Sequence, residues 1–212
     1  STSYSLHIKY TMNIRTSLVT AALLVPGFSA AEDMSANGLT YDYVGIGYGQ
    51  VMVDTTFRAT FHGLSLEGSK KINEDIFLFG TYFDMSADKV KFLGNSLNIN
   101  VNYSQYQLGG GYRRPLEPGT DLIATLSVVR GSTRVSGRSN ADNIYPVSLG
   151  VKHKFAGRFE DWEGSAEGIV ADGNLGSLFQ LQHKISDLYS IAGYYRHDKN
   201  SDIYALNIRF LF

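Results

Sequence analysis

The sequence predicts an all-β chain closed into an antiparallel up-and-down barrel that spans a membrane, with about ten strands and eight as the alternative count. Three observations carry that expectation. The chain ends in DIYALNIRFLF, where Tyr204, Leu206, Ile208, Phe210 and Phe212 alternate with Ala205, Asn207, Arg209 and Leu211. Period-two alternation gives a strand with a different environment on each face, and so apolar a terminal strand would be an aggregation edge unless closure hides it. Similar alternation recurs between turn signals along the chain. Finally, beyond residue 31 no stretch approaches eighteen unbroken apolar residues, so the membrane is not crossed by a helix.

The N-terminal region reads as export machinery. Met12-Asn13-Ile14-Arg15 is a short basic start, the apolar run 17–28 follows, and Ser29-Ala30-Ala31 supplies small residues before Glu32-Asp33. That is the pattern of a secretory signal, too short to span a bilayer. Cleavage after Ala30 would place Phe28 three positions before the cut, so cleavage after Ala31 is expected. Residues 1–11 read as an upstream extension, 12–31 as the signal peptide and 32–212 as one barrel domain. The chain has no cysteine, hence no lipid-anchor cysteine and no disulfide framework.

Charge narrows the function classes. Of 19 basic residues, Lys9 and Arg15 fall in the leader, so 17 face 20 acidic ones in the expected mature chain, a net charge of −3. That offers no electrostatic case for nucleic acid. Twenty-two glycines and fourteen tyrosines beside one tryptophan suit strands and turns.

Taken in order, the strands are expected at 39–50, 57–70, 75–85, 97–113, 121–130, 144–155, 159–171, 176–185, 188–197 and 202–212. Some alternate cleanly, as Tyr106, Leu108, Gly110 and Tyr112 do against Gln105 and Gln107. The first is ambiguous, because Tyr41 and Tyr43 compete with Val44, Ile46 and Tyr48 for the lipid side. Tight turns are expected at 71–74, 114–120, 156–158 and 186–187, with longer polar loops at 51–56, 86–96, 131–143, 172–175 and 198–201. Merging the strands on either side of Ser186 would lower the count toward eight, but Ser186-Asp187 reads as a turn. Short turns at one end and longer loops at the other are the habit of outer-membrane barrels, and an even count puts both termini at the short-turn, periplasmic end.

The signal pattern, the Tyr43-Val44-Gly45-Ile46-Gly47-Tyr48 strand, the stretch LGGGYRRPLEPGTDLIATL and the aromatic-ended last strand resemble the small Gram-negative outer-membrane β-barrel proteins, often grouped as porin-like and akin to the outer-membrane protein X and Ail type. The resemblance spans the mature chain and implies location in the cell outer membrane. The best-known small members have eight strands, and about ten are counted here. The terminal Tyr204, Leu206, Ile208, Phe210 and Phe212 resemble the signal read by the barrel-assembly machinery.

Candidate sites are few. Tyr41, Tyr43, Tyr103, Tyr145, Trp162, Tyr189 and Tyr204 are candidates for aromatic belts at headgroup depth. By alternation Glu163, Ser165 and Glu167 point inward. A turn at 156–158 would set Glu163 opposite about Lys152, and the loop at 172–175 opposite about Lys184. A lumen cluster of Lys152, Glu163, Glu167, Lys184 and Arg209 is therefore expected to plug the barrel. Arg130, Arg134 and Arg138 fall in a loop where guanidinium groups could bind lipopolysaccharide phosphates bidentately. No histidine pair has metal-ligand spacing and no HExxH or Gly-x-Ser-x-Gly occurs, so no catalytic or metal residue and no cofactor is expected. His197-Asp198, with Asp202 beyond the loop, is the one rim acid/base group.

The functional expectation is a non-enzymatic envelope protein, structural or adhesive through its loops. Second comes a narrow ion or small-solute channel, since a barrel this small is largely filled by side chains. A rim His/Asp enzyme comes third. Partners are outer-membrane lipid, lipopolysaccharide and the assembly machinery, without nucleic acid, for a monomer.

Overall fold

The computed structural model describes residues 38–55, 57–92, 95–97, 99–135 and 138–212, so the expected extension and signal peptide lie outside the described residues. The strands are β1 (Tyr43–Asp54), β2 (Phe57–Lys71), β3 (Ile76–Ala87), β4 (Val90–Phe92), β5 (Asn95–Leu97), β6 (Val101–Glu117), β7 (Thr120–Val135), β8 (Arg138–Ile144), β9 (Val147–Lys154), β10 (Trp162–Ala171), β11 (Asn174–Lys184), β12 (Tyr189–Asp198) and β13 (Ser201–Leu211). Ten of them form the closed wall, in the order β1-β2-β3-β6-β7-β9-β10-β11-β12-β13. Every wall pair is antiparallel, and β13 returns to β1 with Tyr43 opposite Leu211 and Val53 opposite Ser201. Closure removes the edge that the terminal strand would otherwise expose.

The wall has its polarity reversed relative to a water-soluble protein. In β13 Leu206 is 62 % exposed while Arg209 is 1 % exposed. Arg113, Arg196, Arg209 and Gln105 are among the most deeply buried side chains, whereas Ile46, Leu126, Leu149, Phe179 and Ile208 face outward. Only hydrocarbon outside and a polar interior make that arrangement favourable, so the barrel spans a membrane with its strands. No described helix is long and apolar enough to cross one.

Turn chemistry sets the two ends. Asn73 Oδ1 accepts from the backbone N–H of Asp75 (2.9 Å) and Ile76 (2.8 Å), closing the β2–β3 turn. Ser186 Oγ accepts from the N–H of Leu188 and Tyr189, so β11 and β12 are separate strands and the eight-strand alternative does not hold. At the opposite end Asp172 and Gly173 both adopt positive φ, 48° and 74°, in a two-residue hairpin.

The loops are the main departure from expectation. The strands run on, so β1 reaches Asp54, β2 starts at Phe57, and 172–173 and 199–200 are two-residue turns. The described residues among those expected as the loops 86–96 and 131–143 lie largely in paired strands beyond the wall. There β4 pairs onto the end of β2 and β5 onto β4, and β8 pairs with the extension of β7 from Val129 to Val135. Pro146 separates β8 from β9 because its nitrogen has no hydrogen to donate to the ladder.

The ambiguity in β1 resolves through its glycines. Val44, Ile46 and Tyr48 face lipid, and Tyr43, Gly45, Gly47 and Gly49 face the lumen. A Cβ at Gly47 would lie 2.0 Å from the Leu206 carbonyl oxygen and 2.2 Å from Asn207 Oδ1, and one at Gly49 would lie 2.6 Å from Met85 Cε. Glycine is required because backbone and side-chain atoms of neighbouring strands fill the space over it.

Candidate functional site

The lumen is filled in two layers with a chamber between them. At the loop half, Val51, Val53, Phe61, Phe83, Met85, Val101, Tyr103 and Ile203 form one apolar cluster. At the terminal half, residues 38–42 precede β1 and turn into the barrel mouth, where Leu39 and Tyr41 pack on Phe77 and Ile123.

Around that entering segment sits an ionic network. Glu163 accepts from the Thr40 backbone N–H at 3.1 Å to each oxygen and from the Thr40 hydroxyl at 2.8 Å. The Lys152 ammonium lies 3.2 Å from Glu163 and also donates to the Thr40 carbonyl. The Tyr41 hydroxyl donates to Asp121 at 2.9 Å, and Arg113 reaches the same carboxylate oxygen at 3.1 Å. The Tyr41 ring lies 4.4 Å from the Lys152 ammonium and 5.0 Å from the Arg113 guanidinium, close enough for cation–π attraction. Charges so buried are stable only when paired and hydrogen-bonded, and each of these is.

A third pair lies deeper. Arg209 grips Glu67 with two hydrogen bonds of 2.6 and 2.8 Å and donates to Gln182, while the Tyr43 ring covers its guanidinium at 4.0 Å. These residues meet because Gly45 lies opposite Glu67 on β2 and opposite Arg209 on β13. With no side chain between them, the two neighbours join over the glycine. Arg196 and Asp198 form a fourth pair nearer the loops, with Nη2 to Oδ1 at 2.9 Å.

The expected cluster is thus brought together only in part. Lys152, Glu163, Glu167 and Arg209 line the lumen, but the register around Glu163 is two residues off. Glu163 lies opposite Lys154 and Gln182, and Lys152 lies opposite Ser165, reaching Glu163 diagonally. The turn between β9 and β10 is longer than expected, spanning 155–161 with a short 3-10 turn at Gly157–Phe159, which moves the pairing with β9, and the two-residue turn at 172–173 is shorter than expected, which moves the pairing with β11. Lys184 does not reach Glu163. It pairs at the exposed turn with Asp187 at 2.7 Å, and that hydrogen bond and charge hold the Asp187 carboxyl below its ordinary value.

Three belt candidates are corrected. Tyr41, Tyr43 and Tyr103 point into the barrel, because strand parity puts Tyr43 with the inward glycines and Tyr103 with Gln105. Tyr145, Tyr189 and Tyr204 face outward, and Trp162 stacks on His183 at 4.5 Å. The expected rim acid/base group also divides. His197 Nδ1 lies 2.8 Å from Asp202, which accepts from the Tyr195 hydroxyl at 2.8 Å, while Asp198 turns inward to Arg196.

Arg130 and Arg134 share the outward face of β7, in register with Tyr106 and Asn102 on one side and Asn143 and Ser139 on the other. Arg138 pairs with Val135 and so belongs to the opposite face of the hairpin. On β13, Tyr204, Leu206, Ile208 and Phe210 form an outward apolar row, and Phe212 stacks on Phe210 with ring centroids 6.4 Å apart.

Glu67, Arg113, Asp121 and Arg196 were missed in the sequence. The pairing of Arg113 with Asp121 could have been read from the β6–β7 hairpin, where both are odd-numbered and inward. Glu67 with Arg209 needed the closure register.

No protein-family model matches the chain, and no curated protein matches it in sequence. Among solved structures, Ail, the attachment invasion locus protein of Yersinia pestis, is 14% identical with a TM-score of 0.40, over 82% of this chain and 100% of that one. The KdgM porin is 11% identical with a TM-score of 0.42, over 79% and 99%. An outer-membrane channel from Pseudomonas putida F1 is 8% identical with a TM-score of 0.47, over 87% and 100%.

Proposed function

We propose that the protein is a sealed outer-membrane barrel with a non-enzymatic envelope role, structural or adhesive, acting through its loop-end hairpins and outer rim. The observation that carries this reading is the double closure of the lumen, apolar at the loop half and ionic at the terminal half. Solute-passing barrels keep an aqueous path, and a wall of ten strands leaves little space once its side chains are in place. Arg130 and Arg134 project outward four residues apart, about 13 Å along a strand, at the loop end of the apolar band. They are suited to phosphate groups of lipopolysaccharide, which guanidinium binds bidentately. The outward C-terminal row would be the segment read by the assembly machinery. On this reading His197 and Asp202 brace the β12–β13 hairpin and do no chemistry.

Conductance across planar bilayers tests the reading. The folded protein should give no steady ohmic current in potassium chloride, and stable unitary openings would overturn it in favour of a narrow channel. Replacing Arg130 and Arg134 together by Gln should weaken binding to lipopolysaccharide vesicles while leaving the fold intact.

A further inference from the structure

The charges inside the barrel can be matched one to one, and one is left over. Lys152 pairs with Glu163, Arg209 with Glu67, Arg113 with Asp121 and Arg196 with Asp198. All eight are buried. A fifth carboxylate, Glu167, points inward from β10 between these pairs, and among the described residues no cation pairs with it. Among the described residues its hydrogen-bond donor is the Ser148 hydroxyl, at 2.6 Å.

Glu167 borders the central chamber, a cavity of about 140 Å³. The chamber also receives Gln107 and Thr81, each more than nine-tenths buried. The Gln107 amide donates to Ser127, but its carbonyl oxygen and the Thr81 hydroxyl have no hydrogen-bond partner. Buried polar atoms without partners are rare in folded proteins and call for an explanation. A half-buried carboxylate facing the lumen without a counter-charge is unfavourable as well. Both anomalies face the same small space. The cations that line the same chamber, Lys152 and Arg196, are already held by Glu163 and Asp198.

We propose that the chamber is a binding site for a small monovalent cation, an alkali-metal ion or a small primary ammonium. Glu167 supplies the counter-charge, and the oxygens of Gln107, Thr81 and Ser148 supply neutral contacts. One carboxylate among neutral oxygens suits a single positive charge; divalent ions that bind oxygen favour more carboxylate ligands. The volume admits methylammonium and rejects a bulky organic cation. The site lies behind the segment 38–42, so exchange with the terminal side requires that segment to shift. The proposal goes beyond the surface role and is independent of it: the bilayer experiment above tests the seal, and the following one tests the site.

A ligand that binds only the folded state raises the unfolding midpoint with its concentration. The folded protein in neutral detergent would be melted at constant ionic strength in potassium chloride, methylammonium chloride or N-methylglucamine chloride, following its heat-dependent gel mobility. The midpoint should rise with potassium or methylammonium and level off, and stay flat in N-methylglucamine. The member of the pair that acts identifies the class. Glu167→Gln should fold and lose the response. Gln107→Leu should keep a response displaced to about tenfold higher concentration, the equivalent of roughly 1.4 kcal/mol. Equal midpoints in all three salts, or a response surviving in Glu167→Gln, would overturn the site. A stronger response to calcium would overturn its monovalent character. A midpoint that rises on acidification and ignores cations would mean that Glu167 holds a proton, which also overturns it.

Discussion

Glu163 accepts from both donors of Thr40 and from Lys152 at once, so one carboxylate ties the entering segment to the wall. Replacing it by Gln keeps the shape but strips Lys152 of its counter-charge, and removing one member of a buried pair costs about 3–5 kcal/mol, less where water enters. The loss should appear as a lower unfolding midpoint in the gel-mobility assay, and combining Glu163→Gln with Lys152→Met should restore much of it. An unchanged midpoint in the single variant would refute the role of this pair. Lys184 provides the contrast. Its partner Asp187 is solvent-exposed, and exposed pairs contribute little, so Lys184→Ala should leave the midpoint where it was. The depressed Asp187 carboxyl fixes the sign of that small contribution. It is present above the ordinary carboxyl pKa and fades as pH falls through the lower folded value.

Among the elements, β1 decides closure, because it meets β2 on one side and β13 on the other. Its inward row Gly45, Gly47, Gly49 lets Glu67, Arg209, Asn207, Met85 and Phe83 occupy the space above it. Glycine in a strand usually weakens it; here it makes room for the packing and ion pair that hold the seam. Gly47→Ala should therefore impair folding, since its Cβ would meet the backbone carbonyl of Leu206 at 2.0 Å. Gly110 on β6 faces outward, and a Cβ there finds its nearest neighbour at 3.8 Å. Gly110→Ala should fold and show the wild-type gel shift. Equal behaviour of the two variants would show that the seam is not set by steric room.

Over the whole molecule, the two plugs act in series. Opening one leaves the other in place, so Tyr41→Ala at the terminal half or Phe83→Ser at the loop half should not by itself produce current. A variant carrying both, together with Glu163→Gln, should give openings in a planar bilayer, and steady current from a single replacement would place the whole barrier in one layer. The closed wall predicts a second behaviour of the intact barrel. With no free edge from which to unzip, the protein should migrate differently on a gel before and after boiling.

The sequence by itself determined the membrane-spanning barrel and about ten strands in its wall, leaving eight as the alternative that the structure removed at Ser186. Alternation, turn residues and the inward parity of β10 are local properties, carried by near neighbours along the chain, and they were legible at Tyr204–Phe212, at Ser186-Asp187 and at Glu163 and Glu167. The ring closure and the partners inside it were decided only in three dimensions. Arg209 finds Glu67 across 142 positions because Gly45 leaves the gap between them. Lys184 missed Glu163 because a two-residue turn at 172–173 replaced the four-residue loop expected there and moved the β10–β11 register by two. Tyr41 became part of a plug instead of a belt because the chain bends into the mouth before β1 begins. A strand pattern says which way a side chain points; register and closure say what it meets there, and both depend on contacts far apart in the chain.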